Sequence, residues 1–217
     1  ALALGTHTIT AEYDGDQTNA SSVSNAVIQD IVAPFITRWD LTKTGSGTND
    51  QISFNIATSG NVRFTWQEVT PGSATGTGVL SGNTASITGS PANSIIDLSI
   101  SPTNFQRCFI SDGADKERLI DVRQWGPTSW TSMENAFWGC SNLEINALDT
   151  PDLNGVSNMA QMFLQASALN QDISNWDVGN VTSMRFMFGS ASAFNQNIGG
   201  WDVSKVTNMS AMFLSAG

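Results

Sequence analysis

Three aspartates, Asp152, Asp177 and Asp202, recur at intervals of 25 residues. If the units that carry them stack, their carboxylates fall in a file about 4.8 Å apart, and like charges at that spacing repel. A divalent cation such as Ca2+ between them relieves the repulsion. A backbone N–H donated to each carboxylate at a turn does the same, and is the plainer reading. Asp14-Gly15-Asp16 and Asp112-Gly113-Ala114-Asp115 also read as turns, since neither has the acidic spacing of an EF-hand. Trp176 and Trp201 offer flat faces suited to sugar rings, yet they alternate with Asp and share a side with Val178 and Val203, which favours core. The sole histidine, His7, sits in an alternating, strand-like stretch. It gives no basis for a Ser-His-Asp triad or a His-Cys zinc cluster within the repeats. Paired carboxylates can hydrolyse glycosides, but these acids fall at turn and repeat positions, so no catalytic residue is assigned and no enzyme is expected. Cys108 and Cys140 are either one disulfide or two buried thiols, and the thiols are preferred.

The elements that position these residues follow from their period. Met159, Met184 and Met209 are spaced by 25, as are Trp176 and Trp201, Ile173 and Ile198, and Val181 and Val206. All seven methionines lie beyond residue 132. A fixed period of this size signals stacked units, none of which buries its apolar stripe alone. Trp176 and Val178 flank Asp177 with the period of a short strand. Met184, Met187 and Phe188 fall at i, i+3 and i+4, which predicts a helical turn capped by Thr182 or Ser183 and closed by Gly189. The expected repeat core is therefore Trp176, Val178, Val181, Met184, Met187 and Phe188, then Trp201, Val203, Val206, Met209, Met212 and Phe213. Gln171 and Gln196 fall in register as an amide ladder. Met133 and Phe137 match Met159 and Phe163 with a shift of 26, so degenerate copies reach back to about Ile120, with Trp125 to Trp130 as an aromatic cap.

Asn170-Gln-Asp-Ile-Ser-Asn-Trp-Asp-Val-Gly-Asn-Val-Thr-Ser-Met184 and Phe194-Asn-Gln-Asn-Ile-Gly-Gly-Trp-Asp-Val-Ser-Lys-Val-Thr-Asn-Met209 resemble the BspA-like surface-protein repeat. That family of unknown function is abundant in mycoplasma surface lipoproteins. The resemblance covers roughly residues 118 to 217. It implies a leucine-rich-repeat-like solenoid of strand–helix repeats, an extracellular setting, and adhesion to a host, cell-surface or matrix protein or glycan. Val181 stands where a leucine-rich pattern places Asn, so the Asn ladder is absent or displaced to Asn180.

Before the repeats, Thr6 to Tyr13, the turn at Asp14-Gly15-Asp16 and Val23 to Ile31 read as two strands. Gly5 to Tyr13 resembles the last hairpin of a bacterial immunoglobulin-like domain. Residues 1–34 are thus expected to be the end of a truncated module with its linker. Residues 35–119 contain short strands separated by Gly, Asn, Ser and Pro, as in a β-sandwich, with Phe64 and Trp66 in its core. Residues 120–217 form the repeat solenoid. The fold class is mainly β with short helices. Because the sequence starts at Ala1 and stops within a repeat, both ends are expected to be cut inside longer units.

Composition excludes other classes. The 217 residues are 13% charged and 40% hydrophobic. That is about half the usual globular share of charge, with ample core-forming residues, so disorder and coiled coil are unexpected. A net charge of −10, from 9 Lys and Arg against 19 Asp and Glu, argues against nucleic acid as a partner. The expected role is non-enzymatic adhesion or ligand binding. A structural segment of a surface filament or phage-type fibre is the alternative, and a carbohydrate-binding region of a larger secreted enzyme is a weaker one. Outward aromatic residues on the repeats favour sugar binding, whereas a featureless polar face favours a spacer.

Overall fold

A computed structural model describes residues 4–70 and 72–217; residues 1–3 of the first segment and Pro71 lie outside the described residues. The chain divides into two compact units, Ala1–Ala33 and Pro34–Gly217. It is mainly β, and no helix occurs among the described residues. In the first unit β1 (Gly5–Ile9) pairs antiparallel with β4 (Val27–Ile31), while β2 (Glu12–Tyr13) pairs with β3 (Ser22–Val23). The Asp16 carboxylate closes the tip, accepting from the Tyr13 hydroxyl at 2.7 Å and the backbone N–H of Thr18 and Asn19 at 2.8 Å. These donors hold its pKa well below the usual carboxylate range. A ribbon of paired strands has no opposing layer, so Val23, Val27 and Ile28 stay exposed.

The second unit holds β5 (Phe35–Asp40), β6 (Ile52–Thr58), β7 (Val62–Thr70), β8 (Thr75–Leu80), β9 (Thr84–Ile87), β10 (Ile95–Ile100), β11 (Phe105–Phe109), β12 (Leu119–Gln124) and β13 (Glu144–Ile145). One sheet has the order β13-β12-β5-β10-β7-β8, the other β11-β6-β9. Period-2 burial turns Phe35, Thr37 and Trp39 of β5 inward, and Ile52, Phe54 and Ile56 of β6. Trp39 stacks on Phe54 at 5.3 Å and Phe35 on Phe105 at 6.0 Å, joining the two layers. β8, Thr-Gly-Thr-Gly-Val-Leu, gives little strand signal by composition. It forms because Gly76 and Gly78 lie opposite Trp66 and Phe64, whose rings occupy the space a Cβ would take: 2.3 Å from the Trp66 indole nitrogen and 2.6 Å from the Phe64 ring.

The repeat differs from its expected form. No helix forms at Met184–Phe188 and no strand at Trp176–Val178. Each unit instead presents a rung of overlapping turns. In the second rung the N–H groups of Met162, Leu164 and Ala166 donate to the carbonyls of Met159, Gln161 and Phe163, three residues back. The intervening amides of Met159, Gln161, Phe163 and Gln165 donate outward, to the carbonyls of Ser183, Arg185, Met187 and Gly189 on the next rung. A helix keeps its amides beyond the first turn for its own carbonyls; here four of these seven cross between rungs. Alternate peptide groups must therefore face opposite ways, and Gln161, Gln165, Phe186, Ser190, Ala211 and Ser215 take positive φ. Met184, Met187 and Phe188 still share one buried side, which is why their spacing imitates a helix. Gly189 is not a left-handed cap; Ser190 takes the positive φ of 55°. A Cβ at Gly189 would lie 2.7 Å from Leu164 Cδ1, so any larger residue there displaces the Leu164 side chain. Rather than capping a helix, Ser183 makes parallel bridges to Asn158 and Asn208.

Both sheets run into this ladder. β12 pairs in parallel with β13 through Asp121–Glu144 and Val122–Ile145. Just past β11, the Ile110 and Asp112 amides donate to the carbonyls of Ala136 and Trp138 on the first rung. The aromatic core is likewise continuous: Phe35 packs on Trp125, Trp125 on Phe137, and Phe137, Phe163, Phe188 and Phe213 stack at 5.5–5.7 Å, one per rung. Loop 43–51 is held from inside. Arg118, 1% exposed, pairs with the equally buried Asp115 at 3.1 Å and donates to the carbonyls of Lys43 and Gln51. Asp115 accepts from the Ser46 and Ser53 amides, both at 2.7 Å.

Removing one partner of a buried ion pair leaves the other uncompensated. Arg118→Met is expected to cost about 3–5 kcal/mol in urea unfolding, with part of that loss recovered in Arg118→Met/Asp115→Leu. Ser190 is exposed and left-handed, so Ser190→Gly should raise stability by up to about 1 kcal/mol, whereas β-branched Ser190→Val should lower it; thermal unfolding of the pair reads both.

Candidate functional site

The turn ladder fixes which residues of each rung point inward and which outward. In the first three rungs Met and Phe, with Ala136 in the first, fill the core from the first, fourth and fifth positions, while the third and sixth positions lie on the outer side. Asn135, Gln161, Phe186 and Ala211 make one outward column, and Trp138, Leu164, Gly189 and Leu214 the next. Trp138, Leu164 and Phe186 are partly exposed, Leu214 more so at 57%. Gly189 interrupts the second column, and both Leu164 and the Phe186 ring lean over it: the position of a Cβ there is 2.7 Å from Leu164 Cδ1 and 3.5 Å from Phe186 Cδ1. Leu164 and Phe186 are thus continuous across two rungs. The Trp138 indole N–H donates to Gln165 Oε1 at 3.3 Å, tying the ring to the neighbouring rung. Arg185 lies over the Phe186 ring, 4.6 Å from its centroid, and has no carboxylate partner among the described residues. These residues form an apolar rail bordered by amides and hydroxyls. The Met and Phe period marked the rungs in the sequence, and Trp138 and Leu164 share its shift of 26, but Phe186 stands in the neighbouring column and falls outside that file.

The aspartate file lies elsewhere, at the turns between rungs. Asp152, Asp177 and Asp202 each accept, at 3.0–3.1 Å, the N–H of the residue two positions on: Asn154, Gly179 and Ser204. No group of three or more His, Cys, Asp or Glu able to hold a metal occurs among the described residues. Asp202 is held below its usual pKa by the Ser204 side chain and backbone, and Asp172 likewise by Ser174. Trp176, Val178, Val181, Met184, Met187, Phe188, Trp201 and Met212 are buried, and Val206 packs partly against them. Val203, Met209 and Phe213 are 41%, 41% and 50% exposed, because no described rung covers them.

The polar ladders are also specific. Asn180 Nδ2 donates to the Asn154 carbonyl at 3.2 Å, and Lys205 Nζ to Asn180 Oδ1 at 2.7 Å. Gln196 donates to Asn170 rather than to Gln171. Cys108 and Cys140 are free and buried. Burial pushes the Cys108 thiol up to about 12, and burial together with the neighbouring Cys108 raises Cys140, so neither is a nucleophile at neutral pH. His7 sits in β1 opposite Gln29.

A family model described as "Mycoplasma protein of unknown function, DUF285" matches residues 103–217. The chain belongs to this family. The DUF285 match starts just ahead of β11, the strand whose continuation bonds to the first rung, and so takes in more than the Met-bearing repeats. No curated protein and no solved structure matches the chain.

Lowered pKa values at Asp172 and Asp202 mean that their contribution is complete above the unfolded carboxylate range and is lost as pH falls through the lower folded value. Side-chain carboxyl NMR titration is expected to give midpoints for both below the usual value of about 3.9, and Asp202→Asn should flatten the acid limb of stability against pH.

Proposed function

We propose that the chain is part of a non-enzymatic, extracellular bacterial surface protein of the BspA-like kind, which binds its ligand through a leucine-rich-repeat-like solenoid formed by the turn ladder. The β-sheet layers of residues 35–119 act as the stalk and as the cap of the first rung. The first unit, two paired ribbons exposing Val23, Val27 and Ile28, supports the reading of a terminal hairpin of an Ig-like module. One observation carries the adhesive role: a rail of Trp138, Leu164 and Phe186 on the outer side of successive rungs, next to Arg185, which stacks on Phe186 and has no carboxylate partner among the described residues. A spacer needs no such side chains, and clustered apolar groups on an otherwise polar surface are the usual mark of an interaction site. The carboxylates at the turns are engaged by backbone amides, as befits structural rather than catalytic groups.

The test is binding of the intact chain to host-protein and glycan arrays. Trp138→Ala/Phe186→Ala should abolish the signal at an unchanged melting temperature, while Asn180→Ala, on the turn side, should retain it. A folded chain that binds nothing on either array would leave the filament-segment reading in its place.

A further inference from the structure

Building on the adhesive reading of the same rail, we propose that its ligand is an extended, uncharged polysaccharide lying across the rungs. The spacing of the site suits such a chain. Rungs joined by backbone hydrogen bonds repeat at about 4.8 Å, close to the advance of one sugar ring along an extended glycan, and each of the first three rungs supplies one apolar side chain: Trp138, Leu164, then Phe186 folded over Gly189. Polar groups border this strip. Gln161 lies in the column on one side and the exposed Gln165 and Ser190 on the other, so amides and a hydroxyl flank apolar surface, as the hydroxyl rim and C–H faces of a pyranose require. The Trp138 indole N–H is satisfied by Gln165 Oε1, which fixes the ring and leaves the Gln165 amide N–H2 to donate.

The backbone argues against a peptide strand as occupant. The amides of Met159, Gln161, Phe163 and Gln165 are committed to the next rung, and those of Met162, Leu164 and Ala166 to turns within their own, so recognition here must come from side chains rather than from strand addition. Charge argues against a polyanion. Gln161, Gln165 and Ser190 are uncharged, the Asp112 and Lys116 side chains beside Gly139 compensate each other as an ion pair, Arg185 is stacked on Phe186, and the chain carries a net charge of −10, which repels a sulfated or uronic polymer.

Calorimetry of the intact chain with cellohexaose, xylohexaose and mannohexaose, their disaccharides, and heparin as the polyanion tests the assignment. At least one neutral hexasaccharide should bind, and more tightly than its disaccharide because successive rungs are engaged. Trp138→Ala and Phe186→Ala should each weaken binding about tenfold, with Trp138→Phe retaining most of it and Asn180→Ala unchanged. Preference for heparin, binding insensitive to Trp138→Ala, or no glycan binding by the folded chain would each overturn the proposal. In the last case, a protein-array signal that Trp138→Ala/Phe186→Ala abolishes would keep the adhesive role while removing the glycan, and silence there would remove both.

Discussion

The repeat region depends on a division of its backbone amides. Along each rung, alternate N–H groups close turns within the rung and the rest donate forward to the next one, while at the rung edges Thr182, Ser183, Thr207 and Asn208 donate back to the preceding rung. A buried backbone group left unpaired is costly, so this pattern satisfies the amides only while neighbouring rungs stay in register. The inward side chains do the complementary work. One phenylalanine per rung stacks on the next within 6 Å and nearly parallel, so a slip of one rung position would break hydrogen bonds and aromatic packing together. Positive φ at non-glycine residues is the conformational cost of this arrangement, and it persists because both networks fix it.

The polarity of the ladder explains why the β-sheet layers and the repeats form one unit. A first rung has carbonyls facing backward that need donors, and the segment leaving β11 supplies them through Ile110 and Asp112. β12 makes the matching continuation of the other sheet by pairing with β13. Phe35, Phe105, Trp125 and Trp130 fill the junction. The sheets are therefore a cap in the physical sense, since they satisfy the backbone and cover the apolar end of the stack. That the DUF285 match reaches back to residue 103 is in keeping with β11 belonging to the repeat as much as to the sheet.

The same constraint determines which side chains reach the outer surface. Because the inward positions are taken by Met and Phe and the turn carboxylates by backbone amides, the side chains free to vary are those on the outer side of the rungs. Trp138, Leu164 and Phe186 sit there with no part in the core, flanked by Asn, Gln and Ser. A rigid ladder holding such residues at a fixed interval is a surface suited to an elongated ligand, and it requires no motion of the backbone.

Much of the fold was legible in the sequence. The period of 25 located the rungs, and the alternation of Phe64 and Trp66 about Thr65 located β7, because burial on one face of a sheet writes itself directly into residue order. Three features were decided only in the tertiary structure. Met184, Met187 and Phe188 share a side in a helix and in consecutive turns alike, so spacing alone could not tell which partner each amide would choose. β8 is a strand because Trp66 and Phe64 lie over its glycines, a contact made across the chain rather than along it. The outward rail has only a partial sequence signature: Trp138 and Leu164 share a column but not a residue type, and Phe186 joins them from the next column only because Gly189 leaves room for its ring beside Leu164.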